Sequence, residues 1–244
     1  MSTRLRFAED PGGAAVVEAD LAAFLGRLVR WDKAAVVRLR SAAGEAALGV
    51  FGQPPFGGVL AVKSLALAGE GAAAVVDATV SAGQLLESVG EAVGGGQFTV
   101  PPSVTGPAWA GVLPPREGWR RVAEMEATAV REVAARAVAE FRERTESLVP
   151  ERRGRAELDA LAEELWSRPL PGGGAGVTLR VVHAAHALGF LPARRSGEAA
   201  DEAVAVLAAG PWVRLRTGYG SVAMRGASAA SGLTVSPGMT VSPV

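Results

Sequence analysis

The chain has 244 residues, 49% of them hydrophobic and 20% charged, with 25 basic against 25 acidic side chains and no cysteine. That apolar content at zero net charge excludes a wholly disordered chain, and it removes the bulk positive field that draws proteins to nucleic acid or anionic membranes. Without cysteine there are no disulfides, thiolate metal sites or cysteine nucleophiles. No run of about 18 apolar residues exists to span a bilayer, and Met1 to Asp10 is too charged for a secretory signal, so a cytoplasmic address is expected.

Asn and Ile are absent, and Lys33 and Lys63 are the only lysines among 25 basic residues. The missing types share AT-rich codons, so the arginine excess follows from a GC-rich genome and is no sign of phosphate recognition by itself.

Arg4 to Phe7 alternates as a half-buried strand does, and Pro11-Gly12-Gly13 makes a turn. Val17, Leu21, Phe24, Leu25 and Leu28 then place an apolar stripe on a helix from Ala14 to Trp31. Val37 and Leu39 lead through Gly44-Glu45 to Leu48 and Val50 as a hairpin, and Leu60, Val62 and Leu65 form a further strand beyond the loop Gln53 to Gly58. Val76 to Val80 alternates again, and Ser81 stands as N-cap of a short helix carrying Leu85, Leu86 and Val89. Phe98 to Val100 is a last short strand, which gives the order β-α-β-β-β-β-α-β.

Residues 101–119 hold five prolines with Trp109 and Trp119 and read as an ordered, irregular connector. Beyond it, Val122, Met125, Ala129, Val133, Ala137, Phe141 and Leu148 predict one long helix, with Glu132–Arg136 and Glu140–Arg144 as supporting pairs. A second helix starts near Arg155 and stops at Pro169, and a third spans Val177 to Leu188. Val204, Val206, Val213, Leu215, Val222 and Met224 alternate as a small meander turning near Gly210 and at Gly218-Tyr219-Gly220. The Ser-, Gly- and Thr-rich residues 226–244 read as a disordered tail.

The expected class is therefore α+β: an N-terminal mostly antiparallel sheet with one or two helices, then a helical segment ending in a small β-meander. The expected domains are 1–100, the connector 101–119, 120–225 and the tail.

No cofactor motif is met. Gly172 to Gly176 precedes a helix but lacks a preceding strand and a following Lys-Ser or Lys-Thr, and no serine sits in a Gly-x-Ser-x-Gly elbow. His183 and His186 have the spacing of two metal ligands, without a third nearby, and stand as weak metal candidates. Arg152, Arg153 and Arg155 form the densest basic cluster, and Arg214 and Arg216 share one face of a strand. With Arg180 on the third helix, these are the candidate nucleic-acid contacts of a winged-helix-like order of helix, helix and hairpin. Phe56, Trp109 and Trp119 are the candidate interaction residues, for an unknown protein partner or for self-association. The leading expectation is a non-catalytic protein-interaction or scaffold protein with no membrane partner. The alternatives are a DNA-associated regulator and an enzyme with a distributed carboxylate and arginine site.

Two resemblances add to this reading. Trp109 to Trp119 (WAGVLPPREGW), Glu164 to Leu170 (ELWSRPL) and His183 to Leu191 (HAAHALGFL) resemble a conserved hypothetical protein family of high-GC Gram-positive bacteria, the actinobacteria, over most of the chain up to Arg225. That resemblance implies a source and a cytosolic address and no activity. The first hundred residues, through Asp77 to Leu86 (DATVSAGQLL), are similar to one repeat of a bacterial DNA sliding clamp, where a strand also runs into a short helix. A clamp ring needs several such repeats and a basic inner face, whereas 8 basic and 10 acidic residues precede Val100 here.

Overall fold

The computed structural model describes residues 3–8, 13–69, 74–91, 96–149, 154–174, 176–192 and 203–226. The Arg152 and Arg153 candidates and the tail from 227 onward lie outside the described residues.

The protein is α+β. Its first half runs β1 (Arg4–Arg6), α1 (Ala14–Trp31), β2 (Val36–Ser41), β3 (Ala47–Gly52), β4 (Leu60–Ala66), β5 (Val76–Ser81), α2 (Ala82–Glu91) and β6 (Gln97–Thr99). That is the order read from the sequence. The α1 stripe buries Leu21, Phe24, Leu25 and Leu28 on the sheet, and Ser81 Oγ accepts the Gln84 N–H at the start of α2. Residues 101–119 contain one turn of 3-10 helix at Ala108–Gly111.

The second half runs β7 (Arg120–Glu126), α3 (Ala127–Ser147), α4 (Arg155–Trp166), α5 (Leu179–Ala187), β8 (Ala203–Ala209), β9 (Trp212–Thr217) and β10 (Gly220–Arg225). One expected element is corrected here. Val122 and Met125 do not open the long helix but lie on β7, whose partner is β8, some 80 residues away along the chain. Local 3–4 spacing at Val122 and Met125 fits a helix, yet the long-range pairing with β8 wins and turns Ala123 and Met125 toward the core.

All pairings among these strands are antiparallel, and eight strands form one sheet in the order β5-β2-β3-β4-β10-β9-β8-β7. The meanders β2-β3-β4 and β8-β9-β10 meet back to back at β4 and β10, where Leu60, Ala61 and Val62 face Ala223, Val222 and Ser221. Each meander carries one outer strand, β5 on one side and β7 on the other. The arrangement is thus a pseudo-twofold about the β4/β10 seam, and β1 and β6 pair separately.

Strand alternation assigns the two faces. Val37, Leu39, Leu48, Val50, Ala61, Leu65, Val206, Leu215 and Val222 point into one apolar core with residues of α1, α2, α3 and α5. Among the described residues no α-helix covers the opposite face. Residues 101–119 cross it as a strap from β5, where Val104 N–H bonds Thr79 O, to β7 at the far edge. The strap holds on through Trp109, Leu113 and Trp119, packed against Leu60, Trp212 and Ala223. Trp119 Nε1 donates to Pro115 O at 2.8 Å, and Arg116 pairs with Glu45.

Helices α3 and α4 are joined by charge. Arg144 forks onto both oxygens of Glu164 at 2.8 and 2.7 Å, and Arg168 bridges Glu140 and Glu164 at 2.7 Å each. The two guanidinium groups hold the Glu164 carboxyl at about 2, well below the usual carboxylate range. No helix among the described residues is long and apolar enough to cross a membrane.

Candidate functional site

Three of the residues singled out from sequence come together: Phe56, Arg180 and His183. The loop between β3 and β4 brings Phe56 from the first half, and α5 brings Arg180 and His183 from the second. Positions 180 and 183 are one turn apart, so the two side chains leave the helix on one face. Trp166, the last residue of α4, forms the third wall.

The His183 ring stacks on Trp166 with centroids 4.3 Å apart and takes Phe56 edge-on at 4.9 Å. Phe56 in turn meets Trp31 of α1 edge-on at 5.1 Å, and Trp166 leans on Phe141 of α3 at 5.7 Å. Such offset and edge-to-face pairs are each worth about 0.5–1.5 kcal/mol beyond burial. Arg180, 14% exposed, donates to Glu163 Oε2 at 2.5 Å and to Phe56 O at 3.4 Å, so one guanidinium ties the loop to α4. Around these groups is a recess of about 330 Å³, walled by Pro55, Phe56, Gly57, Ala162, Trp166 and His183, with Asp159, Glu163 and Arg180 supplying its charges.

Burial, and secondarily the neighbouring His186, lowers the His183 pKa to about 4, so its ring is neutral at pH 7. Its Nδ1 is buried without a hydrogen-bond partner. The ring has aromatic neighbours rather than a carboxylate to orient it. The ring is thus held by packing against Trp166 and Phe56 rather than by a hydrogen bond at Nδ1.

The other expected residues are dispersed. His186 is exposed while His183 is enclosed, and no group of three or more His, Asp or Glu suited to a metal ion occurs among the described residues. Arg155 is 95% exposed on α4 beside Asp159, at 3.7 Å. The winged-helix arrangement is not built, because β9 and β10 are interior strands of the large sheet rather than a free hairpin. The helix expected to enter a groove, α5, buries Leu179, Val181, Val182, Ala184 and Ala185 against α3, α4 and the sheet. Trp109 and Trp119 are partly covered, because the chain's own sheet receives them. Arg214 and Arg216 do share a face, as expected, but Arg214 lies half-buried beneath the strap. Its guanidinium is 5.5 Å from the Trp119 ring centroid, and its Nε donates to Ser221 Oγ at 2.8 Å.

Sequence reasoning missed Lys63. Its side chain is 4% exposed, pairs with Asp20 of α1 and lies 5.4 Å from the Phe190 ring centroid. Burial lowers its pKa, with the Asp20 hydrogen bond opposing. The signal was present, since Ala61, Lys63 and Leu65 alternate on one strand and place a lysine on its core face. Trp31 ends the first predicted helix and Trp166 falls within the second, with nothing local to show that they meet the 53–58 loop.

Two family models match the chain. Residues 1–111 match a domain of unknown function (DUF8010), and residues 114–229 match a second domain of unknown function (DUF8185). No curated protein matches. Solved structures that the chain matches include the DNA polymerase sliding clamp from Pseudomonas aeruginosa, at 12% identity and TM-score 0.49 over 92% of this chain and 63% of that one. A second is the same clamp with ligand, at 13% identity and TM-score 0.48 over 85% and 62% of the two chains. The DnaN sliding clamp (DNA polymerase III subunit beta) of that organism bound to griselimycin gives 13% identity and TM-score 0.46 over 92% and 64%. The chain spans a little under two thirds of the length of these clamps. The two matched domains of unknown function thus follow one another along the chain and meet within the connector.

Proposed function

We propose that this protein is a non-catalytic binding protein that receives an apolar or aromatic side chain of a protein partner in the pocket walled by Phe56, Trp166 and His183. One observation carries the reading. A loop from one meander and two helices from the other half converge on a recess of about 330 Å³, and Arg180 fixes the loop to α4 beside it. Pockets of this size with aromatic walls and few polar groups are how proteins hold small apolar groups. The anchoring arginine and the stacked rings also make the site pre-organised, which reduces the ordering cost of binding.

The test uses N-acetyl amides of phenylalanine, tryptophan and leucine as probes, titrated into the intact protein by calorimetry. Wild type should show saturable binding of at least one aromatic amide. Ala162→Phe, which fills the recess from α4, should weaken that binding about tenfold or more while the protein stays folded. Absence of saturable binding for all three amides, or binding unaffected by Ala162→Phe, would overturn the proposal.

A further inference from the structure

At the β9–β10 turn lies a smaller cleft of about 140 Å³, which takes Arg214, Arg216 and Ser221 from the strap-crossed face and Lys63 and Asp20 from the helix-covered face. Thr217 lines it as well. Its charges are not balanced. Lys63 and Asp20 neutralise each other, but among the described residues neither Arg214 nor Arg216 forms an ion pair. Arg38, on the same face of the sheet, shows the ordinary arrangement, with Asp77 at 2.5 Å. A partly buried guanidinium without a counter-charge is costly, and a second cation beside it raises the cost. Burial and the nearby Arg216 charge both lower the Arg214 pKa.

The cleft is also pre-shaped. Ser221, 2% exposed, holds Arg214 by its Nε, which leaves the outer nitrogens of the guanidinium for another acceptor. Arg216 stands directly across from Ser221 in the β9–β10 register. Thr217 Oγ1 donates to Gly220 O and accepts the Tyr219 N–H, both at 3.1 Å, which fixes the turn that closes the cleft. Gly220, at φ 148, belongs to the same turn, and a Cβ there would meet the Phe190 ring at 2.8 Å.

We infer that this cleft is a binding site for a single phosphate-class oxyanion, held by the guanidinium groups of Arg214 and Arg216. Arginine presents a planar fork that matches such oxygens, and two of them on one strand face offer donors from two directions. The volume admits one phosphoryl group and no base or sugar. The site is separate from the aromatic pocket, and neither inference depends on the other.

The probe is inorganic phosphate, titrated calorimetrically into the full chain at low salt, with chloride at matched ionic strength as control. Saturable binding is expected, together with a rise in Tm that chloride does not reproduce. Arg216→Gln, at an exposed position, should weaken binding about tenfold, and Arg214→Gln should abolish it. Arg225→Gln, further along the same face and outside the cleft, should leave it unchanged. Equal Tm shifts with phosphate and chloride, or phosphate binding that survives the double glutamine variant, would overturn the assignment. So would retention of a single-stranded oligonucleotide through Arg214 and Arg216 with no binding of phosphate, because that points to a strand-tracking surface instead of a one-group site.

Discussion

The two faces of the eight-stranded sheet treat charge in opposite ways. On the helix-covered face the buried charged groups Lys63 and Glu18 have partners: Lys63 has Asp20, and Glu18 accepts the Gly96 N–H at 2.8 Å. On the strap-crossed face Arg38 is paired with Asp77, but Arg214 and Arg216 stand side by side with no ion pair among the described residues, and Asp20, which also lines their cleft, is paired with Lys63. The first face is organised for stability. The second leaves positive charge uncompensated, and an uncompensated charge in a cleft is better explained by a ligand than by folding.

The sharpest way to break this contrast compares neighbours on one strand. Leu215 is fully buried on the helix face and Arg216 points the other way. Leu215→Ala should cost about 2–5 kcal/mol in urea denaturation, whereas Arg216→Ala should stay within about 0.5 kcal/mol. Similar losses from both would dissolve the distinction.

A smaller effect is expected from the ion pair. Asp20→Ala leaves Lys63 buried without a partner and should destabilise by about 3 kcal/mol, with much of the loss restored when Lys63→Met is added. Failure of the second substitution to recover stability would show that Asp20 acts otherwise.

Next comes the pocket histidine. Its folded pKa of about 4 lies below the ordinary 6.5, so the unfolded chain takes up the proton first. The neutral ring therefore contributes fully above pH 6.5, and that contribution is lost as pH falls toward 4. After discount for partial exposure it amounts to about 2 kcal/mol. His183→Phe should flatten that part of the stability profile.

The smallest effect belongs to the strap. Trp119→Ala removes a partly exposed ring and its contact with Arg214, so a loss of about 1 kcal/mol is expected. Faster amide exchange should be confined to residues 101–119. A loss as large as that of Leu215→Ala would mean that the strap is part of the core.

Local patterns made much of this fold legible. The stripe of Leu21, Phe24, Leu25 and Leu28 marked α1, and alternation marked β2 to β5 and the final meander. The join of the two meanders at β4 and β10 was not legible, because Leu60 to Val62 and Ser221 to Ala223 are far apart in sequence and look like ordinary strand residues. β7 was hidden for the same reason, since only β8 makes it a strand. Of the site, Phe56, Arg180 and His183 were each visible, but their convergence rests on packing between halves, which no local spacing encodes. The pairing of Arg214 with Arg216 followed from period 2. The cover over Arg214 depends on where the strap runs, and that depends on Trp109 and Trp119 finding Leu60 and Trp212.

The central claim is that the recess at Phe56, Trp166 and His183 is the recognition site. Its most direct test is the carbon–proton NMR spectrum of the His183 ring during titration with N-acetyl-phenylalaninamide. The account predicts a saturable shift at His183 with little change at exposed His186, lost in Ala162→Phe. An unchanged His183 signal at saturating amide, or equal shifts at both histidines, would contradict it.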